Sequence, residues 1–532
     1  MNDRLDRVFK HPIFNHPQTL RVLTIAISVT LVSGVAMIGP VGGRGDDPRD
    51  NEGAFVVDDD VIPGTTASLS PGATPSLSGS GTPVTPGQGS TPGFIIPGGG
   101  KPSIPPSKIP SFGLRTQGIT ADAVKIGISY NVASCGDAAV LEAMLGPTTA
   151  GDLEKSINTF ARHINDTGGL GGKKYQPIIV DDGGAGCPAK NISAAIKMAE
   201  EEKVFMAIPG LHVESDYIMK HYKIPVFGGR EDPDSLGRYG PNGLQILEPL
   251  EPTFEAWASF GRYYLNGQDK KPCLIRIESG AAGDFDTAER ILKQKMSKYG
   301  LTFADRIWVF KDDVSTAQQQ SNSIAAAAKG KGCDQVYYLA GNPIGLIFFT
   351  DAATQNGWFP TWTFTSMVIL TDDDAIGNLM DPVQWENAIG LSYRVPAGQH
   401  RDEGNCKRIY ERYNGNDGQS DSAAVKLACA TILPTAEMMR RAIQLTGTLT
   451  ADTLLLGADA IDNDFFFDAT VPLDWRYPNI NGPFKTRGFS HYTVVDWSSS
   501  QKRYTFPKYP CYYKVFEAQN GGCENLTKYY KK

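Results

Sequence analysis

The sequence predicts an α/β protein with two doubly wound, Rossmann-like lobes. Two observations support this fold class: short β-rich runs alternate with amphipathic helices after residue 118, and the alternation starts again near residue 272. Such a βαβ repeat places parallel strands in a sheet that helices cover on both faces. The length of 532 residues also exceeds what one hydrophobic core usually holds, so two or more lobes are expected.

The first 112 residues lack this alternation and predict export. Basic residues precede an uncharged apolar run at residues 22–39, and acidic residues follow it, so residues 1–21 are expected in the cytoplasm. The run is about as long as one membrane span. It is a signal anchor or a long signal peptide, and the lack of a clear small-x-small cleavage site favours the anchor. We expect a protein anchored to the cell membrane on its extracytoplasmic side, or secreted if the segment is cleaved.

Residues 40–112 connect this segment to the alternating region. They are rich in Pro, Gly, Ser and Thr and poor in apolar residues, so they predict a disordered linker that cannot form a core. A flexible chain of roughly 50 residues spans on the order of 40 Å. The linker therefore allows the folded part to move away from the membrane.

The first lobe begins with the predicted strand Val124–Tyr130. Apolar residues then recur at helical spacing over residues 153–164, and YQPIIVDD is the next strand. A helix is predicted over residues 192–199. KVFMAIPG and IPVFGG are further strands, with a short helix between them.

A glycine-rich run, Gly168 to Gly172, lies between the first helix and the second strand. Phosphate-binding loops join a strand to the beginning of a helix, where free N–H groups meet the anion. Here the order is reversed, because the helix ends near Asn165 and a strand follows. We interpret the glycines as a turn that ends the helix, and exclude a nucleotide site.

The second lobe repeats the same order of elements. Its first strand is predicted at Pro272–Ser279, and ADRIWVF, DQVYYLAG and TWTFTS are later strands. A long helix, Ser420–Thr446, and a strand-rich tail, Phe465–Phe516, close the chain. The intervening helices are predicted around residues 285–296, 315–329 and 343–356.

Composition restricts the function. The net charge is −7 and no basic stripe occurs, whereas nucleic-acid binding needs clustered cations, so no nucleic-acid partner is expected. Neither GxSxG nor HExxH is present, and the seven histidines are scattered. We predict a protein that is not an enzyme, has no catalytic residues, and needs no cofactor or metal. The acidic run Asp372–Asp374 is interpreted as helix capping.

The order of several motifs over residues 118–516 resembles the type I periplasmic binding proteins. The relevant group is the branched-chain amino acid (Leu/Ile/Val)-binding substrate-binding proteins of ABC transporters. INDTGGLGG resembles the family's helix-ending turn, and GITADAVKIGISY its first strand. AIPGLHVES, IPVFGG, CLIRIESGAAGDFDTAERILKQKMSKYG, DQVYYLAGNPIGLIFFTDAATQNGW and VPLDWRYPNINGPFKTRGFSHYTVVDW resemble later segments in the same order.

The resemblance implies two lobes joined by three hinge crossovers, near Glu248–Pro252, Pro396 and Arg487–His491. Lobe 1 would comprise residues 118–250 and 397–488, and lobe 2 residues 251–396 and 489–532. The implied function is capture of a small polar ligand between the lobes for the permease subunits of an ABC importer. The alternative is a membrane-tethered sensing ectodomain that signals through a partner protein.

The resemblance also places the ligand-binding residues in loops after the parallel strands. In the family, hydroxyl and backbone N–H groups of lobe 1 hold the ligand carboxylate, and acids or carbonyls of lobe 2 hold the amine. The candidates in lobe 1 are Tyr130, Asn131, Ser134, Gly210, His212, Ser215, Gly229, Arg230 and Glu231, and those in lobe 2 are Glu278, Ser279, Gly280, Asn342 and Ser366.

Some of these candidates fit two roles. Arg230 fits either a bidentate carboxylate clamp or an ion pair with the adjacent Glu231. Glu278 fits an amine ligand or the cap of the next turn, and His212 is more typical of a solvated loop histidine. Ala281-Ala282 replaces the tyrosine that is usual in the lobe 2 loop. The ligand is therefore expected among amino acids, amides and related compounds rather than branched-chain amino acids alone.

Eight cysteines, without a CxxC pair, favour disulfides over metal binding in an exported protein. The implied strand order 2-1-3-4-5 suggests two pairings, Cys135 with Cys187 and Cys273 with Cys333. Cys406 with Cys429 and Cys511 with Cys523 are the remaining local pairs.

Overall fold

Two sheets organise the part of the chain that a computed structural model describes. All of these residues belong to one compact unit within residues 89–532. The described residues are 115–130, 152–183, 188–210, 212–228, 243–244, 250–265, 269–279, 284–311, 314–340, 343–365, 374–392, 405–465, 473–474, 491–507 and 513–514.

The strands follow the predicted positions, with several additions. The strands are β1 (Ala123–Tyr130), β2 (Lys174–Asp181), β3 (Met206–Ile208), β4 (Val226–Phe227), β5 (Gly243–Leu244), β6 (Pro272–Ile277), β7 (Ile307–Phe310), β8 (Gln335–Leu339), β9 (Thr361–Thr365), β10 (Ala388–Ser392), β11 (Asp462–Phe465), β12 (Leu473–Asp474), β13 (His491–Ser498), β14 (Arg503–Thr505) and β15 (Tyr513–Lys514).

The helices lie between these strands as the alternation predicts. The helices are α1 (Leu153–Asp166), α2 (Pro188–Ile196), α3 (His212–His221), α4 (Leu250–Tyr263), α5 (Phe285–Lys298), α6 (Val314–Gly330), α7 (Ile344–Gln355), α8 (Asp374–Gly377), α9 (Pro382–Trp385), α10 (Asn405–Asn414), α11 (Ala423–Thr446) and α12 (Ala451–Asp459). A π-helical turn, Lys197–Glu201, continues α2 and was not predicted.

The first sheet is parallel and has the order β2-β1-β3-β4-β5. β1 pairs with β2 over its whole length, from Ala123 opposite Lys174 to Tyr130 opposite Asp181. β3 is buried at all three residues, as expected for a central parallel strand covered on both faces. This order confirms the arrangement expected for lobe 1.

The second sheet repeats that order and extends it. Its path is β14-β13-β10-β9-β8-β6-β7, so its five parallel strands also follow the order 2-1-3-4-5. β13 then adds to β10 in antiparallel orientation, with Ile389 opposite Asp496. The sequence did not predict β10, whereas the family resemblance assigns the tail, residues 489–532, to lobe 2, and β13, β14 and β15 do belong to this sheet.

The glycine run is a helix-ending turn, as predicted. α1 ends at Asp166, and the amide of Gly169 donates to the carbonyl of Ile164 over 2.9 Å. Gly169 has a positive φ of 62°, and a Cβ there would lie 2.3 Å from the carbonyl oxygen of Lys173. Only glycine fits this position without a backbone shift. The turn leads directly into β2, where Asn165 exchanges two hydrogen bonds with the backbone of Tyr175 over 2.7 and 3.1 Å.

Helices from the last third of the chain pack beside the first sheet, against α1. α11 packs against α1, and the hydroxyls of Tyr175 and Thr435 are hydrogen-bonded at 3.0 Å in the buried contact. The guanidinium of Arg440 donates to the carbonyls of Gly169 and Ile164 over 2.9 and 3.1 Å. The chain therefore leaves the first sheet after β5, builds β6 to β10, returns with α10 to α12, and ends on the second sheet.

These passages correspond to the three predicted crossovers. α4 already begins at Leu250, inside the range expected for the first one. Pro396 and most of Arg487–His491 lie outside the described residues, and the lobe boundaries remain predictions.

Two of the four predicted cysteine pairs lie among the described residues. Cys273 and Cys333 lie at disulfide distance with Cα atoms 5.9 Å apart, and Cys406 and Cys429 with Cα atoms 5.8 Å apart. The separations suit a disulfide. Cys135, Cys187, Cys511 and Cys523 lie outside the described residues.

The apolar segment at residues 22–39 and the linker at 40–112 also lie outside the described residues. Among the helices that are described, none is long and apolar enough to span a bilayer.

Candidate functional site

The carboxyl ends of β1 and β3 carry a buried polar cluster. In an open parallel sheet, the strand order reverses at such a point, and ligands bind in the crevice that opens there. The Ser129 hydroxyl donates to Oε2 of Glu214 over 2.5 Å. The amide of Gly210 donates to Ser129 Oγ over 2.8 Å and to Glu214 Oε2 over 3.1 Å. We call Ser129, Gly210 and Glu214 the switch-point cluster.

The local sequence explains this cluster. Ser129 is near the end of β1, and Gly210 follows β3 by two residues. Glu214 lies in the first turn of α3, and its carboxylate reaches back to an amide that precedes the helix. This contact resembles a capping box, in which an acid at the third helical position accepts from the residue before the helix. Glu214 is 0% exposed and Ser129 4%, so the contacts are shielded from water.

The end of β2 adds two further carboxylates. Asp181 accepts from Lys190 Nζ over 2.6 Å and from the amide of Gly183 over 3.0 Å. Asp182 is 2% exposed, and its Oδ2 would lie 2.6 Å from a Cβ built on Gly210. Asp182 therefore packs directly against the switch-point cluster, and Gly210 is needed for this close approach.

Tyr130 ends β1 beside these acids. Its hydroxyl donates to Oε2 of Glu154, on α1, over 3.3 Å. Burial, and then the negative charge of Glu154, raise the pKa of Tyr130 to about 12. The phenol therefore stays protonated at neutral pH and acts as a hydrogen-bond donor.

The end of β6 in the second sheet is organised by α5. The amide of Asp286 donates to the hydroxyl of Ser279 over 2.8 Å, so Ser279 contacts the first turn of this helix. Asp284 accepts from the amide of Thr287 over 3.0 Å and caps the helix. The backbone hydrogen bond to Thr287 lowers the pKa of Asp284. Glu278 is exposed, and its amide donates to the carbonyl of Phe310 over 2.8 Å.

A charged groove of about 580 Å³ runs beside α5. Arg276 is buried beneath it and donates to Asp286 and Glu289, each over 2.6 Å. Both donors of Arg276 are therefore occupied by acceptors within the protein. The lining residues are Arg276, Asp286, Glu289, Arg290, Lys293, Gln294 and Ser297.

The structure describes part of the predicted ligand-binding set. Tyr130 and Gly210 lie at neighbouring strand ends, whereas Ser215 is buried, at 1% exposure, within α3. His212 begins α3, and Glu278 and Ser279 directly follow β6, the first strand of the second sheet. Asn131, Ser134, Gly229, Arg230, Glu231, Gly280, Asn342 and Ser366 lie outside the described residues.

Sequence reasoning missed the roles of Ser129, Asp182 and Glu214. The signal for Glu214 was present, because an acid three or four residues after a glycine turn is typical of a helix start. Within the described ranges, no three His, Cys, Asp or Glu side chains are grouped so that they could hold a metal ion.

Comparison with known proteins identifies relatives of this fold. A family model described as a periplasmic binding protein matches residues 138–479. A sequence comparison with curated proteins finds no match.

Solved structures share the fold at low sequence identity. The fatty acid ABC transporter substrate-binding protein from Thermomonospora curvata has a TM-score of 0.53 and 14% identity, over 76% of this chain and 95% of that chain. A possible leucine/isoleucine/valine-binding protein from Rhodopirellula baltica has a TM-score of 0.54 and 14% identity, over 73% of this chain and 97% of that chain. The branched-chain amino acid transporter substrate-binding protein LivJ from Streptococcus pneumoniae, in complex with isoleucine, has a TM-score of 0.51 and 12% identity, over 72% of this chain and 99% of that chain.

Proposed function

The chain belongs to the periplasmic binding protein family, and from this premise we propose that it is an extracytoplasmic solute-binding protein of an ABC importer. The observation that carries the proposal is the repeated strand order 2-1-3-4-5 in two sheets, in a chain that passes between them three times. Each sheet then offers one row of strand ends to a ligand, which is the arrangement that a two-lobed binding protein needs.

We infer that the two lobes close on the ligand about the three chain passages. Ligand contacts with both lobes stabilise the closed form, and the permease subunits recognise that form. The proposed boundaries are residues 118–250 with 397–488 for lobe 1, and residues 251–396 with 489–532 for lobe 2. We further infer that the protein performs no chemistry on its ligand, as is usual for this family of binding proteins.

A small polar ligand is the best candidate. The switch-point cluster and Asp182 present buried polar groups at the end of the first sheet. Polar groups at such a strand end favour a ligand that carries hydrogen-bonding groups over a purely apolar one. The structural relatives include proteins whose descriptions mention fatty acid and isoleucine, and neither ligand is carried over to this chain.

We also propose how the protein is held at the membrane. The apolar run at residues 22–39 would anchor it, and residues 40–112 would tether the lobes to that anchor. In the exported protein, the pairs Cys273–Cys333 and Cys406–Cys429 would be disulfides, as their Cα separations permit. Nothing in the described residues or the matched family favours the signalling alternative over transport.

A thermal-shift screen of the full chain in mild detergent tests the proposed function. The panel should include amino acids, their amides, small acids, sugars and fatty acids. A ligand present at 100 times its Kd should add about 2.7 kcal/mol to the free energy of unfolding. No shift with any compound, combined with turnover of a generic ester or peptide substrate, would contradict a binding protein.

A further inference from the structure

β7 is the outer strand of the second sheet, and no strand in the described part of the chain lies beyond it. The carbonyls of Arg306 and Phe310 accept from backbone amides of the β6 segment over 3.0 and 2.8 Å. Backbone groups alternate in direction along a strand, so the N–H and C=O groups of Ile307 and Val309 point away from β6. This outward edge is therefore a template for a further strand.

The other outer strands of the two large sheets have features that discourage such pairing. β2 contains Pro177, and β5 and β14 have only two and three residues. Proline has no N–H to donate, and very short edge strands offer few backbone groups. β7 contains no proline, and its Val309 is 45% exposed. Its outward edge is thus open to a strand from another molecule.

The sequence of β7 is self-complementary when two copies lie antiparallel about Trp308. Ile307 of each copy then lies opposite Val309 of the other, and these two residues exchange both of their backbone hydrogen bonds. The two half-buried Trp308 residues face each other where side chains of paired strands lie closest. The amide of Lys311 already donates to Gln320 over 3.1 Å, so this ladder consists of the bonds of Ile307 and Val309.

The charges that flank β7 match in the same register. Asp305 precedes the strand and Lys311 follows it, and both are exposed. In the antiparallel pair, Asp305 of each copy lies opposite Lys311 of the other. Asp305 also pairs with Lys331 of its own chain, but its side chain is 65% exposed and can accept from a second lysine. A shift by one residue would place Arg306 opposite Lys311, so the charges favour one register.

We propose that β7 binds β7 of a second copy of this chain in antiparallel orientation, so that the two second sheets join into one continuous sheet. The inference goes beyond the proposed solute-binding function and does not depend on it. Both copies use the same surface, so the contact closes as a dimer. Four residues form a small interface, so the affinity in solution is low. Attachment of both copies to one membrane would raise their local concentration and favour the dimer.

Cysteine cross-linking of the full chain in mild detergent tests the contact and its register. At the two-fold axis, the two Cα atoms of residue 308 would be about 4.5 Å apart, which a disulfide can bridge. Trp308→Cys should therefore give a linked dimer on a non-reducing gel after mild oxidation. Val309→Cys is the matched control, because its two copies would be more than about 7 Å apart. It should cross-link at least about tenfold more slowly, although Val309 is the more exposed residue. Equal or faster linking of Val309→Cys would overturn the register and the proposal.

The variant Val309→Pro tests the edge itself. Because the N–H of Val309 points away from β6, proline removes no hydrogen bond of the existing ladder, as with Pro177 in β2. In sedimentation equilibrium at about 1–300 µM, the wild-type chain should shift from monomer to dimer. Val309→Pro should raise the dissociation constant at least about tenfold. An unchanged constant would assign the association to another surface, such as residues 22–39, and overturn the proposal.

Mixed charge variants give a test that does not depend on proline. Asp305→Lys and Lys311→Asp each place like charges opposite one another in a homodimer, so each alone should associate at least about threefold more weakly than the wild type. An equimolar mixture should restore the association, because opposite charges then meet at both ends of the strand pair. A mixture that associates no better than either variant, or a wild-type chain that stays monomeric at about 300 µM, would overturn the proposal.

Discussion

The two sheets share one strand order but differ in what they bury. In the first, β3, β4 and β5 have three, two and two residues, and carboxylates and hydroxyls are buried at the strand ends. In the second, β8, β9 and β10 have five residues each and carry a large aromatic core. Two sheets with the same strand order can therefore bury different kinds of side chains.

Aromatic side chains pack closely beside the second sheet. Trp385 stacks on Phe364 with ring centroids 5.6 Å apart and donates to the hydroxyl of Tyr504 over 3.0 Å. Trp362 is also buried, and its indole N–H donates to Oε1 of Gln384 over 3.0 Å. These contacts join β9, α9 and the antiparallel strand β14. Burial of large rings with satisfied polar atoms is a strong source of stability.

The first sheet has polar contacts between distant segments in addition to its apolar core. Arg440 donates to the carbonyls at the end of α1, and Tyr175 contacts Thr435. The switch-point cluster is a third example. Such contacts are specific in geometry, and each contributes modestly to the free energy of unfolding. The following predictions test this contrast.

The largest expected effect is the loss of the two cysteine pairs, one beside each sheet. Their sequence separations are 60 for Cys273–Cys333 and 23 for Cys406–Cys429. In the chain-entropy model, replacing each pair with serines should lower the free energy of unfolding by about 4 and about 3 kcal/mol respectively. Urea unfolding measures both losses.

The reduced wild-type protein is the control for these serine variants. It should lose at least as much stability as a variant that lacks both pairs, because reduction opens the same loops and any other disulfide as well. If the oxidised and reduced wild-type proteins unfold at the same urea concentration, the two pairs are not disulfides. The two sheets would then have to be compared by the packing of their side chains alone.

The next effect concerns the carboxyl group of Asp351, on α7, the helix that follows β8 of the second sheet. Burial, and then the charge of Asp381, raise the pKa of Asp351 to about 6 from 3.8. The unfolded chain releases this proton first, so stability falls as pH rises between these two values. Asp351→Asn should therefore raise the free energy of unfolding by as much as about 3 kcal/mol at pH 7.5 and change it little at pH 4.

Asp381→Ala is the contrasting variant for this measurement. Asp381 accepts from the amides of Val383 and Gln384, each over 3.0 Å, and so caps α9. Its loss should cost about 1 kcal/mol at neutral pH. An Asp351→Asn effect of equal size at pH 4 and pH 7.5 would show that ionisation of Asp351 is not the cause.

The smallest expected effect is the loss of one polar contact beside the first sheet. Arg440→Met keeps the apolar stem but removes the donors to Gly169 and Ile164, so it should cost about 1–3 kcal/mol. Hydrogen exchange should increase at residues 163–169. Gln444→Met, at an exposed site on the same helix, should stay within about 0.5 kcal/mol. Equal losses of unfolding free energy in the two variants would show that Arg440 stabilises the fold only through the packing of its apolar stem and not through its hydrogen bonds.

Much of the fold was predictable because its signals are local. The bounds of β1, α1, α6 and α7 differ from the predicted ones by a residue or two, since the apolar spacing that defines them lies within each segment. The additional strand β10 was missed, and the tail that contains β13 was assigned to lobe 2 only through the family resemblance. β10 pairs with β9, and β13 pairs with β10 in the opposite direction, and strand pairing at this distance leaves no signal within the segment itself.

The candidate site was predicted less completely than the fold. Strand ends were the correct places to search for buried polar groups at the first sheet, as Tyr130 and Gly210 illustrate. The partners of Gly210 were not predicted, because Ser129 lies 81 residues before it in the sequence. Ser215 was chosen for its hydroxyl, but the position of this residue in α3 buries it.

The sequence by itself determined the alternation of strands and helices and the glycine turn after α1. These features depend on periodicity and on backbone conformations that adjacent residues specify. Only the tertiary structure decided that Arg440, 271 residues away, caps this turn, and that Glu214 accepts from a hydroxyl 85 residues away. The physical reason is that such contacts arise from the order of strands in the sheets and the packing of helices upon them, and both join residues that are distant in the chain.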